Sequence, residues 1–169
     1  MVSFLQRILG YSLTGTSTEA ILPILWGKGR NGKTLVVETI SFVLGSFCKP
    51  VNKSCLIITA KKSASLDKSN PTPHLCKLRG LRLAYVSETG PTSVLNGEVA
   101  KMLTGGGTIV ARPLFKEELH FKPTHTLLLE TNYLPKIIPA DDFALWKRVL
   151  PIEFSQFFVE NPVNPNEHP

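Results

Sequence analysis

The chain has little of what marks secreted, metal-stapled or membrane-spanning proteins. Its three cysteines, Cys48, Cys55 and Cys76, form no C-x-x-C pair and leave an odd count, so they suggest neither a disulfide framework nor a zinc knuckle. A reducing, intracellular setting fits them. The longest uninterrupted apolar run, residues 20–26, is about a third of the ~20 residues that a membrane-spanning helix needs. No basic stretch leads into a long apolar segment near the N-terminus, which argues against a secretory signal. No internal repeat is visible. What is present is 169 residues, 43% hydrophobic and 19% charged, enough for one globular core and too little for two comfortable ones.

The net charge is +6, and it is unevenly spread: between positions 49 and 82 eight Lys and Arg residues are opposed by Asp67 alone. Such a block is what a polyanion-binding face looks like, because neutralising phosphates releases condensed counterions and steers association. A solvated surface is the alternative.

Phe4, Leu5, Ile8, Leu9 and Leu13 recur at helical spacing and predict a short amphipathic helix within residues 1–20, ending near Gly10 to Gly15 and packing on the main domain. Residues 21–26 predict a strand buried on both faces. Residues 33–44 predict a helix with Gly45 as its C-cap. Further strands are expected at 55–59, 81–86, 126–129 and 149–154, and a helix at 96–103. Residues 108–111 and 118–121 flank a basic turn, which predicts a β-hairpin with Arg112 and Lys116 near its tip. The alternation of strands and helices indicates an α/β fold with a mostly parallel sheet over residues 21–155. Residues 156–169, with Pro162, Pro165 and Pro169, are expected to be a flexible tail or truncated linker.

Gly27-Lys28-Gly29-Arg30-Asn31-Gly32-Lys33-Thr34 satisfies G-x-x-x-x-G-K-[ST], the Walker A pattern. Gly27, Gly29 and Gly32 let backbone N–H groups turn inward around phosphate oxygens, and the next helix adds its N-terminal dipole. Asn31 stands within the loop, Lys33 would reach the β- and γ-phosphates, and the Thr34 hydroxyl would ligate Mg²⁺. The loop lies between a predicted buried strand and a predicted helix, the context the pattern requires. ATP and Mg²⁺ are therefore the expected cofactors. Glu88 follows the strand at 81–86 through Ser87, where it would reach the ligand-bearing sheet edge, hold Mg²⁺ and orient the attacking water. The bland alternatives are a glycine-rich turn with incidental Lys and Thr, and an exposed loop glutamate.

Six blocks, Trp26 to Thr34, Gly80 to Thr89, Lys101 to Gly106, Ile109 to Arg112, Leu127 to Asn132 and Ala144 to Val149, together resemble in order and spacing the superfamily 3 helicase domain of phage and plasmid primase-helicases, the relatives of the poxvirus primase-helicase. The resemblance covers nearly the whole chain. It implies an AAA+-like P-loop NTPase, a three-layer sandwich with an inserted β-hairpin. Such a motor translocates on single-stranded DNA as a ring, usually a hexamer, in the cytoplasm of a host carrying a phage, prophage or plasmid. By the same resemblance Lys33 and Thr34 match the Walker A lysine and Mg²⁺ ligand, and Glu88 the Walker B glutamate. Asn132 matches the polar sensor near the γ-phosphate, Arg148 an arginine finger offered to a neighbouring subunit, and Arg112 and Lys116 the DNA-gripping hairpin. The chain departs from the pattern at Thr89-Gly90-Pro91, Gly107 and Lys147. No primase region precedes the blocks and no winged-helix-like segment follows, which suggests a fragment of a longer protein. A small-molecule P-loop kinase and a non-catalytic nucleotide-binding remnant are the rival readings.

Overall fold

The computed structural model, which describes residues 1–58, 71–165 and 167–169, opens with helix α1 (Val2–Thr14), closed by Gly15 in the left-handed region at φ 70°. The apolar run that follows becomes β1 (Leu22–Trp26), the glycine-rich segment turns, and α2 (Lys33–Leu44) runs to Gly45. Then come β2 (Cys48–Pro50), a 3-10 turn at Lys53–Cys55 and β3 (Ile57–Ile58). After residue 71 the order is α3 (Pro73–Cys76), β4 (Leu83–Thr89), β5 (Val94–Leu95), α4 (Gly97–Thr104), β6 (Ile109–Ala111), β7 (Leu119–Phe121) and β8 (Thr126–Thr131). The chain continues through β9 (Lys136–Ile137), α5 (Phe143–Trp146), β10 (Val149–Glu153), β11 (Phe157–Phe158) and β12 (Glu167–His168).

The central sheet has the order β10-β1-β8-β4-β2, and every neighbouring pair in it is parallel. Parallel strands need crossovers that cover both faces, which is why the inner strands β1 and β8 read as continuous apolar runs rather than alternating ones. All six residues of β8 are buried. On one face Ile24, Ala84, Val86, Leu127 and Leu129 pack with Leu75 of α3 and with Val99 and Leu103 of α4. The alternate residues Leu25, Leu83 and Leu128 pack on the other face with Ile8 of α1 and Val37 of α2. Helices thus flank the sheet on both sides, as the α/β reading expects. Each fully buried leucine here contributes about 2 kcal/mol through loss of water contact. Among the described residues no helix is long and apolar enough to cross a membrane.

One expectation is corrected. The strand expected at 55–59 does not join the central sheet: residues 53–55 form the 3-10 turn, and β3 pairs antiparallel with β5 instead. Thr59 lies outside the described residues, as do Lys61, Lys62, Asp67 and Lys68 of the basic block. The edge strand of the sheet is β2, only three residues long, too short for a periodicity to register. Its Pro50 is tolerated because an edge strand has an unpaired side. The expected hairpin is present, with Ile109 opposite Phe121 and Ala111 opposite Leu119.

The segment after β10 returns to the glycine-rich loop. The Phe154 N–H donates to Trp26 O at 2.8 Å, and the Phe158 N–H donates to Arg30 O at 2.8 Å. β11 then pairs in parallel with β12.

Candidate functional site

All strands of a parallel sheet end at one edge, and the loops leaving that edge converge. Here Trp26 is in register with Thr131, and Thr89 with Thr131 across a local register shift in β4. Topology alone therefore brings the loop 27–34, the backbone of Glu88 and the residue after β8, Asn132, to the same edge.

Close approach shapes the loop. A Cβ on Gly27 would lie 2.2 Å from Asn31 Nδ2 and 2.4 Å from the carbonyl oxygen of Phe154, so no other residue fits. Gly32 sits at φ 83° as the N-cap of α2, a left-handed conformation that side chains with a Cβ resist. The Gly29 N–H closes the turn on Gly27 O at 2.9 Å. Buried Asn31 is the brace: its Nδ2 donates to Phe154 O at 3.0 Å and its Oδ1 accepts from Lys33 Nζ at 2.8 Å. Lys33, only 4% exposed, donates a second bond to Gly27 O at 2.9 Å. Burial lowers the pKa of this lysine, while the negative charge of Glu130 acts in the opposite sense.

Thr34, exposed at the start of α2, donates its hydroxyl proton to Glu130 Oε1 at 2.5 Å. Glu130 is 7% exposed and stands in β8 beside Leu25. Behind it the Thr89 and Thr131 hydroxyls are hydrogen-bonded to each other. Thr131 also donates to Tyr133 O at 2.7 Å; a hydroxyl has one proton, so Thr89 is the donor between the two threonines. Asn132 is exposed at the strand end.

The other expected residues lie elsewhere. Arg148 precedes Val149, which pairs with Leu22 at the start of β1, so it occupies the opposite edge of the sheet, about 16 Å along the strands from the loop. Its Nη1 donates to Ala144 O. An arginine there cannot serve its own chain's loop. Arg112 and Lys116 share the turn between β6 and β7. The Arg112 backbone is bonded both ways to Thr72, and Phe115, at φ 58°, is 95% exposed. The turn borders an open concavity of about 740 Å³ whose lining includes Arg112, Phe115, Lys116, Glu117 and Glu118. Two acids offset the two bases, so this tip is less basic than its outline in the sequence suggests. Of the basic block, Lys49, Lys53, Lys77 and Arg79 are exposed.

Glu130 is the site residue that sequence reasoning left without a role. Its signal is a carboxylate inside an otherwise buried strand, Thr-Leu-Leu-Leu-Glu-Thr, since acids are almost never buried without a partner. Among the described residues no group of three or more His, Cys, Asp or Glu could hold a metal. The oxygen donors at this edge that could meet a divalent cation are the Thr34 hydroxyl and the Glu130 carboxylate bonded to it. That donor set suits Mg²⁺, which keeps waters and takes few protein ligands.

No family model matches the chain. It is 34% identical over 161 residues to a provisionally named helicase of Acanthamoeba polyphaga mimivirus, covering 95% of this chain and 16% of that protein. It is 28% identical over 148 residues to a provisionally named primase of African swine fever virus, covering 88% of this chain and 15% of that protein. To a provisionally named helicase of Frog virus 3 it is 29% identical over 160 residues, covering 92% of this chain and 16% of that protein. The chain thus spans about one-sixth of the length of these curated relatives. Among solved structures, the apo C-terminal region of NrS-1 superposes with a TM-score of 0.58 at 14% identity, over 86% of this chain and 32% of that one. That likeness is one of fold.

Proposed function

We propose that this chain is the ATP-hydrolysing core of a DNA virus helicase of the primase-helicase type, working on single-stranded DNA as one member of a ring. The observation that carries the reading is the loop 27–34 at the C-terminal edge of a central parallel strand, with Lys33, Thr34, Glu88 and Asn132 delivered to that edge by three adjacent strands. The relatives named as helicases and primases support a helicase-primase type of role. In this reading the loop N–H groups and the first turn of α2 hold the phosphates. Lys33 exchanges its two neutral oxygen partners for the β- and γ-phosphates, a stronger charge-assisted pairing. Mg²⁺, held through Thr34 and Glu88, would neutralise charge on the phosphates when bound. Glu88 orients the attacking water, and Asn132 contacts the γ-phosphate or that water. Arg148 serves a neighbouring copy's site, a role its distance from its own loop supports. Arg112 and Lys116 face the DNA.

The test is ATP hydrolysis across a range of protein concentrations, with and without single-stranded DNA, beside Lys33→Ala and Arg148→Ala. Turnover should rise steeply with concentration and with DNA, and fall at least about 100-fold in either variant. A mixture of the two variants should regain part of the activity. Turnover that is linear in protein, indifferent to DNA and unrescued by mixing would overturn the shared-site reading.

A further inference from the structure

Glu130 is buried, charged and bonded to the one loop hydroxyl that P-loop proteins use as a cation ligand. Burying a carboxylate costs several kcal/mol unless the site returns it through hydrogen bonds or opposite charge. Here the compensation comes from the motif itself, the Thr34 O–H at 2.5 Å and the field of Lys33. The bond also has a direction. A hydroxyl that donates its only proton to a carboxylate keeps its lone pairs free for another partner, and that is the state a cation ligand must adopt. P-loop NTPases commonly place this carboxylate as an aspartate on the Walker B strand. In this chain the residue before Glu88 is Ser87, and the carboxylate on Thr34 comes from β8, the strand next to β1.

We propose that Glu130 is the positioning carboxylate of a divalent-cation–nucleoside-triphosphate site: it orients Thr34 Oγ1 as a cation ligand and adds negative charge beside the cation. The role rests on the phosphate-binding reading of residues 27–34. Glu88 keeps its proposed place beside the cation and the water, while Glu130 acts through the Thr34 hydroxyl, so two acids from two strands serve the one site.

A fluorescent ATP analogue, titrated in EDTA and over a Mg²⁺ series, separates the two readings. The chain is compared with Glu130→Gln, Thr34→Ala and the double variant, each checked for an unchanged unfolding transition. We expect Glu130→Gln to keep its EDTA affinity within about twofold while the Mg²⁺ concentration for half-maximal enhancement rises about 10- to 100-fold, the usual effect of losing an outer-shell partner. The double variant should be no worse than Thr34→Ala, because Glu130 acts through that hydroxyl. Equal losses with and without Mg²⁺ would mean a structural role and overturn the proposal, as would an unaltered Mg²⁺ response. If the Gln variant does not fold, Glu130→Asp, which keeps the charge but draws it back, decides by the same two criteria. If the unaltered chain binds no analogue under either condition, the phosphate-site reading fails and this proposal with it. A chain that binds normally beside a variant with a normal Mg²⁺ response sinks this proposal alone.

Discussion

The two edges of the central sheet treat buried polar groups in opposite ways. At the C-terminal edge Asn31, Lys33, Glu130, Thr89 and Thr131 are all hydrogen-bonded, although each is under 9% exposed. At the N-terminal edge, among the described residues, His125 has neither ring nitrogen paired, and the Thr126 hydroxyl and Arg148 Nε are also buried without a hydrogen-bonding partner. Burial of an unpaired polar group costs about 1–3 kcal/mol, whereas a satisfied one is close to neutral. The C-terminal edge therefore holds its buried polar groups in satisfied positions, and the desolvation cost is carried by the edge that holds Arg148.

The contrast can be broken most forcefully with acid. Burial drives the His125 pKa from 6.5 down to about 4. Above pH 6.5 the ring is neutral in both folded and unfolded chains. As pH falls from about 6.5 toward 4, the unfolded chain takes up a proton that the folded chain refuses, so stability drops by about 1.4 kcal/mol per pH unit and by about 3 kcal/mol in all. Urea midpoints measured from pH 7.5 to 4 should show this slope, and His125→Phe should flatten it. An unchanged slope in the variant would mean that the acid sensitivity lies elsewhere. Next in size is Thr131→Val, which strips the Thr89 hydroxyl and the Tyr133 backbone of their shared partner and should cost about 2 kcal/mol in the same unfolding measurement. Smallest is Thr126→Val on the opposite edge. It removes a hydroxyl that is already unpaired, so it should leave stability unchanged or raise it by up to about 1 kcal/mol. Equal losses from the two threonine variants would erase the distinction between the edges.

How much of this was legible depended on how far apart the interacting residues lie in the chain. The loop 27–34 and both ends of α2 could be read because glycine spacing and helical period are local signals, and Gly45 ends the helix where expected. The α/β class followed from continuous apolar strands. Glu130 could not be assigned, because its partner Thr34 is 96 positions away and only the placement of β8 against β1 brings them together. The same holds for Arg148: its position opposite the loop follows from the parallel pairing of β10 with β1, which no local pattern encodes. β2 escaped notice for another reason, since three residues at a sheet edge carry too little periodicity.

The bonds from Phe154 to Trp26 and from Phe158 to Arg30 tie the segment after β10 to the start and the middle of the glycine-rich turn. With Asn31 also anchored on Phe154, the loop is held from outside at three points, all supplied by five consecutive residues. Because β12 is paired to β11 and the Phe158 N–H is bonded to the Arg30 carbonyl, the last described residues connect to the turn through this single backbone bond at Arg30. The turn's backbone path is therefore set in part by residues more than a hundred positions away in the chain.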